Sequence, residues 1–342
     1  MGLKKTSKKI LAVIFILLLV VSTTGFYLYK SKATSIKSAF FINLENTDNI
    51  ETLTQKLTNE CGLKYPSIFL KISQRMNLEH WMKRGRYEIK PSMTIVDIVR
   101  VFRAGKSQTV NLTIKGVSTL EKFALNCGEK LEPDAQDFLY LLSDSTFLDS
   151  LGFNTQTVYS LLIPDTYNTY WHTQPDELLK RLKVEYNKYW TEERIQKAKV
   201  CGLTLLQVST LASIVCKETS KPDDMPIVAG LYLNRIKTNM PLQADPTVIF
   251  AQNDGSIRRV TNAHLQIASL YNTYRNVGLP PGPICIPSKQ AIEAVLNYTK
   301  HNYIFMCAKE DFSGYHNFAV TYAEHLLNAK HYQAALDRKA IK

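Results

Sequence analysis

The chain has 342 residues, 45% of them hydrophobic, and a formal net charge of +12. That length suits two domains and that apolar content is ample for folded cores, which excludes a disordered or fibrous chain. A basic exterior attracts nucleic acid, anionic lipid or a carboxylate-bearing polymer; no arginine cluster interleaved with aromatics selects the first of these.

Lys4, Lys5, Lys8 and Lys9 precede an almost unbroken apolar run from Ile10 to Leu28. About twenty apolar residues cross a bilayer core, and flanking lysines stay on the cytoplasmic side. The expected layout is a cytoplasmic tail over 1–9, a transmembrane anchor over 10–29 and an extracytoplasmic remainder. A cleaved signal peptide is the rival reading, because Ser22 to Gly25 supplies small residues for a peptidase; the length of the run favours the anchor. An exported domain leaves no role for nucleic acid. The six cysteines are widely and irregularly spaced, with no CxxC. Export permits disulfides, yet domains this large need no staples, and mostly buried free thiols are expected.

Residues 31–38 read as a polar linker. Residues 39–115 then read as a small α/β unit. Strands are expected at Ala39–Asn43, Gly85–Ile89 and Val110–Ile114, and helices at Asn49–Glu60 and Ser67–Met76. Thr94 and Asp97 form a capping box that opens a third helix, which Gly105 stops. Residues 116–342 read as mainly helical with short strands, giving an α+β chain overall. Ser118 and Glu121 form a capping pair, and 134–149 is a helical stretch. Pro164 and Pro175 bracket an aromatic segment, Tyr167 to Trp171. Helices follow at 176–190, 192–198, from Thr204 to Glu218 and over 224–238. Tyr303–Cys307 reads as a buried strand and Tyr322–Arg338 as a terminal helix.

Several chemistries are absent from the pattern. Arg100 stands where the first glycine of a phosphate loop would precede Gly105-Lys106-Ser107. No HExxH, no histidine–cysteine zinc spacing and no GxSxG occurs. Neither a metal nor a cofactor is therefore expected.

What remains centres on Leu211-Ala-Ser-Ile-Val-Cys-Lys-Glu-Thr219. Thr204 and Gln207 open this helix as a capping box. At about 100° per residue, Val208, Leu211, Ala212 and Val215 form one stripe, with Glu218 on its flank. An acid at an apolar edge loses hydration, keeps its proton and can act as a general acid. The plain alternative is a solvated glutamate closing an ordinary helix. Further along, Leu242-Gln-Ala-Asp-Pro-Thr-Val248 is too polar for a core strand. Tyr271-Asn-Thr-Tyr274 precedes Gly278-Leu-Pro-Pro-Gly-Pro-Ile284, whose prolines exclude helix and central strand. That leaves a rigid loop, which either lines a polar cleft or only joins two helices.

Taken in order, Ala-Ser-Ile-Val-x-Lys-Glu-Thr, Leu-x-Asn-Arg, Leu-Gln-x-Asp-Pro-Thr-Val, and Tyr-Asn-Thr-Tyr with Gly-Leu-Pro-Pro-Gly-Pro-Ile resemble the YceG-like endolytic murein transglycosylases, the MltG family. Ile163-Pro-Asp-Thr-Tyr167 matches an upstream family segment, and Arg86-Tyr87 with Met93-Thr94 matches its LysM-like region. Two departures stand out. Cys216 occupies a position that is often glutamate in the family, and Tyr159-Ser160 replaces Glu-Gly.

The resemblance implies cleavage of the bond between N-acetylmuramic acid (MurNAc) and N-acetylglucosamine (GlcNAc), with formation of 1,6-anhydroMurNAc ends. It implies Glu218 as the catalytic acid that also takes back a proton from the muramoyl C6 hydroxyl. That hydroxyl is tethered, so no entropy is spent recruiting water. Gln243, Asp245, Asn272 and Tyr274 are the candidates for holding sugars, with Thr247 and Ser213 behind them. Asp245 carries a separate possibility, a second carboxylate supporting hydrolysis. The implied partners are nascent glycan strands, the bacterial cytoplasmic membrane through one span, and peptidoglycan synthases; the implied effect is a limit on strand length. The reading from another class is a membrane-anchored, non-catalytic cell-wall-binding scaffold. A pyridoxal-phosphate lyase conflicts with the anchor and lacks a Schiff-base lysine.

Overall fold

The structure, a computed structural model, describes residues 14–20, 22, 23, 27, 30–116, 118–257 and 259–339. Much of the apolar run of 10–29 lies outside the described residues; those described within it are helical. Among the described residues no single helix is long and apolar enough to cross a membrane. The chain divides into two compact units, Met1–Val110 with Asn168–His172, and Asn111–Tyr167 with Thr173–Lys342.

In the first unit, β1 (Phe40–Leu44) pairs antiparallel with β2 (Gly85–Ile89), Phe40 opposite Ile89 and Leu44 opposite Gly85. Burial alternates along β2, as a strand with one covered face requires. Helix α1 (Ile50–Cys61) starts at a reciprocal cap between Asn49 and Thr52. Helix α2 (Pro66–Arg75) is followed by α3 (Leu78–Trp81), too short to show a period in the sequence. Helix α4 (Ile95–Ala104) opens on the expected Thr94–Asp97 box and ends at Gly105, whose φ of 61° suits glycine. Ile42, Leu53, Phe69, Tyr87 and Phe102 fill the core. Tyr87 stays there because its hydroxyl donates to the Lys83 carbonyl at 2.7 Å.

The aromatic segment bracketed by prolines is a strand, β4 (Thr166–Tyr170), paired with β3 (Thr109–Thr113). Helix α5 (Leu120–Gly128) begins one residue later than expected. Thr119, not Ser118, accepts from the amide of Lys122, and the Ser118 carbonyl accepts from Ile286 instead. The stretch 134–149 is two helices, α6 (Ala135–Ser143) and α7 (Ser145–Ser150). Asp144 ends the first and caps the second by accepting from Thr146 and Phe147.

Helices α8 (Pro175–Tyr189) and α9 (Glu192–Cys201) lead to α10 (Leu205–Glu218), the centre of the second unit. The expected Thr204–Gln207 box opens α10. Its burial is not the single stripe that periodicity predicts. Every residue from Val208 to Val215 is buried, because α11 (Met225–Lys237), α12 (Asp245–Gln252) and α13 (Lys289–Leu296) pack around it. The small residues Ser209, Ala212 and Ser213 permit that approach. The proline loop packs as closely: a Cβ on Gly282 would fall 2.1 Å from the Gln156 carbonyl oxygen.

Strand β5 (Phe305–Ala308) forms an antiparallel hairpin with β6 (His316–Ala319), Ala308 opposite His316. It starts two residues later than expected and is half-buried. A two-stranded ribbon has one face to cover, and α14 (Tyr322–Arg338) packs against it.

Candidate active site

Glu218 is the last residue of α10; from Thr219 the backbone is extended, with φ −140° and ψ 143°. A helix end fixes the side chain's direction while leaving it at the rim of the core. Around it lies a pocket of about 220 Å³, lined by Tyr232 and Arg235 of α11, Leu242, Gln243, Asp245, Tyr274, Met306 to Ala308, and His316.

Tyr232 donates its hydroxyl to Glu218 Oε1 at 2.7 Å. Enclosure by protein pushes the Glu218 carboxyl above the ordinary carboxylate range, and the charge of Asp245 pushes the same way. The Tyr232 hydrogen bond, His316 and Arg235 oppose the rise without reversing it. Tyr232 itself is held far above the usual phenol range, first by burial and then by the neighbouring Glu218; it stays a donor. Oε2 is the oxygen that Tyr232 leaves free, and a proton held by this carboxyl would be carried there.

Arg235 is only 7% exposed. Its guanidinium donates to the Ile304 carbonyl at 2.7 Å and the Leu242 carbonyl at 2.6 Å. One side chain thus ties the start of β5 and the Leu242–Gln243 turn to α11. Gln243 adopts a φ of 49°, a left-handed conformation that costs a non-glycine residue about 1 kcal/mol. Its amide donates to the Thr273 carbonyl at 3.0 Å, which holds it there. Asp245 accepts from the Tyr274 hydroxyl at 2.5 Å. Opposite, the buried Asp224 carboxylate meets His316 Nδ1 at 2.6 Å.

Of the residues singled out in the sequence, Glu218, Gln243, Asp245 and Tyr274 line this pocket. Asn272, Thr247 and Ser213 do not; each is fully buried. The Asn272 amide donates to the carbonyls of Leu265 and Ile267 and its oxygen accepts from the Tyr274 amide, so it aims Tyr274. Thr247 shares a hydrogen bond with the Thr273 hydroxyl at 2.8 Å. Ser213 accepts from the Ile284 amide at 3.0 Å and pins the proline loop to α10. The three support the walls and do not line the pocket.

Tyr232, Asp224 and His316 were not among the site candidates read from the sequence, and Arg235 entered only as the last residue of Leu-x-Asn-Arg, with no role at the site. Tyr232 and Arg235 are three apart on one helix and therefore share a face, a signal that was there to use. His316 lies 92 positions from Asp224, and no local pattern joins them.

Cys216 lines a different cavity, of about 490 Å³, with Lys115, Asp165, Ser288 and Lys289 among its walls. Hydrogen bonds from Cys285 and Ser288 hold its thiol down to about 5. Lys289 holds Asp165 below the usual carboxylate range. Asp165 is the one carboxyl lining that cavity, and its shift is opposite to that of Glu218. Among the described residues all six cysteines are free, four of them buried, and no group of three or more His, Cys, Asp and Glu could hold a metal ion.

A profile of the YceG-like family matches residues 42–331. Endolytic murein transglycosylase of Streptococcus pneumoniae strain D39 is 27% identical over 301 residues, which cover 78% of this chain and 54% of that protein. The Bacillus subtilis protein of the same name is 28% identical over 260 residues, 70% of each chain. A crystal structure of a YceG-like protein from Listeria monocytogenes matches with a TM-score of 0.54 at 25% identity, over 85% of this chain and 99% of that one. The chain spans about half the length of the pneumococcal relatives it matches.

Proposed function

The chain belongs to the YceG-like family, and from that premise we propose that it is an endolytic lytic transglycosylase that cuts the MurNAc–GlcNAc bond of peptidoglycan and leaves 1,6-anhydroMurNAc ends. The observation that carries this reading is Glu218: a carboxyl whose hold on its proton is strengthened by burial, oriented by Tyr232, at the wall of a polar pocket. Similarity to proteins named endolytic murein transglycosylase supports the same reaction class.

In this reading Glu218 gives its Oε2 proton to the glycosidic oxygen as the bond to the muramoyl anomeric carbon breaks. The C6 hydroxyl of the same sugar closes on that carbon. Gln243, the Asp245–Tyr274 pair and the backbone of β5 supply hydrogen-bonding groups for sugar hydroxyls and acetamido groups. Placing the C6 oxygen near the reacting carbon supplies the orientation that a water molecule would otherwise have to find.

Residues 10–29 would anchor the protein in the bacterial cytoplasmic membrane with the catalytic unit outside, on the basic flank and apolar length of that run. The unit over 39–115, LysM-like by resemblance, would bind glycan or hold the catalytic unit near the membrane. Such a position suits cleavage of nascent strands beside peptidoglycan synthases, limiting strand length.

The test is digestion of purified peptidoglycan by the detergent-solubilised full chain and its Glu218→Gln variant, followed by mass analysis of the sugar ends. Anhydro ends from the wild type alone are expected. Reducing muramic ends, or equal turnover by both proteins, would remove the assignment.

A further inference from the structure

Glu218 has one unoccupied oxygen, since Oε1 already accepts from Tyr232 at 2.7 Å. In the proposed reaction a proton leaves Glu218 for the departing oxygen while another leaves the C6 hydroxyl. One oxygen serving both would have to release the first proton before taking the second. The same pocket holds a second group fit for proton transfer. His316, from β6, lines the cavity with Glu218, and its Nδ1 lies 2.6 Å from a carboxylate oxygen of Asp224, a residue 3% exposed. With the carboxylate oxygen accepting, Nδ1 carries the hydrogen and Nε2 is the ring nitrogen left to take a proton. A buried carboxylate that orients an imidazole and stabilises it when charged is the pairing that makes histidine a general base. Nothing in the sequence reading assigned either residue.

We propose that His316 is the catalytic base for the C6 hydroxyl, with Asp224 as its positioning residue, and that Glu218 acts as the acid alone. The inference rests on the transglycosylase reading. As the C6 oxygen bonds to the anomeric carbon, its proton passes to His316 Nε2. The bond from that carbon to the glycosidic oxygen breaks, and this oxygen takes the Glu218 proton. The products are an anhydromuramoyl end and a GlcNAc hydroxyl. The protein is left with a carboxylate at Glu218 and an imidazolium at His316; transfer of one proton from the second to the first, through solvent, restores both.

A pair of substrates separates the two roles. On natural peptidoglycan, the full-length His316→Ala and Glu218→Gln variants are each expected to lose kcat by about 10²–10⁴-fold, the range for a removed acid or base. A muramoyl glycoside with a nitrophenolate leaving group needs no acid. There Glu218→Gln is expected to regain turnover, while His316→Ala stays slow until free imidazole is added. Asp224→Asn should lower kcat with little change in KM. If Glu218→Gln remains inactive on the activated glycoside, Glu218 performs both transfers and the proposal fails. It also fails if His316→Ala turns over peptidoglycan like the wild type. Should His316→Ala not fold, as judged by its melting curve, His316→Gln takes its place, and the response of Glu218→Gln still decides. Absence of anhydro ends from the wild type would instead remove the reaction itself, and this inference with it.

Discussion

Tyr232 and Glu218 stand 14 residues apart in sequence and meet at 2.7 Å, hydroxyl to carboxyl, where α10 ends against α11. The contact opposes burial: a hydrogen bond to the ionised form lowers the pKa that desolvation has raised. In Tyr232→Phe the acid should hold its proton to higher pH. A hydrogen bond to a charged group is worth about 1.5–3 kcal/mol, so the alkaline limb of the pH–rate profile should move up by about one pH unit or more. Turnover of peptidoglycan across the alkaline range measures this. A limb that stays put would mean that Tyr232 does not reach the working carboxyl.

The same raised carboxyl affects stability. Below the ordinary value of 4.5 both folded and unfolded chains carry the proton. As pH rises past it the unfolded chain ionises first, so the wild type loses stability until the folded carboxyl also ionises. The Glu218→Gln variant has no such loss. Its melting temperature relative to the wild type should therefore be higher at about pH 8 than at about pH 4. A constant difference across that range would show an unperturbed group.

Arg235 should resist conservative exchange. Its Nε and Nη1 serve two divergent carbonyls, Ile304 and Leu242. Arg235→Lys offers one ammonium and cannot reach both with the same geometry. Each buried carbonyl left without a donor costs about 1–3 kcal/mol. Thermal unfolding should show both Arg235→Lys and Arg235→Met destabilised, and peptidoglycan cleavage should fall with them because the Gln243 turn loosens.

Wall and lining residues should separate cleanly in kinetics. Thr247→Val removes a hydroxyl that bonds only to Thr273 and the Ala244 carbonyl. Stability should fall by about 1–2 kcal/mol with KM unchanged. Tyr274→Phe frees Asp245 at the pocket surface, so KM for peptidoglycan should rise while the melting temperature holds. The reverse pattern would place Thr247, not Tyr274, against the substrate.

Local signals carried far along this chain. Two of the expected reciprocal caps, at Thr94 and Thr204, start helices where side-chain chemistry says they should. Signals failed where two possibilities differ by one residue, as at Ser118 and Thr119, or where a single aspartate splits a periodic stretch, as at Asp144. Period counting also misjudged α10, because a helix segment covered by its neighbours on every side has no solvent face to reveal. Among the site residues, hydroxyls and amides next to prolines look alike in sequence whether they face a pocket or seal a turn. Tyr274 and Asn272 are two positions apart and do opposite work.

By itself the sequence singled out the carboxyl: a glutamate closes a strongly apolar helix, and ordered motifs further along mark it out from a solvated helix end. Only the tertiary structure decided what touches that carboxyl. Tyr232 and Arg235 reach the pocket from α11 and His316 from β6, with Asp224 of the α10–α11 link behind His316; hydrogen-bond geometry across such separations is set by packing, which no local pattern of residues encodes.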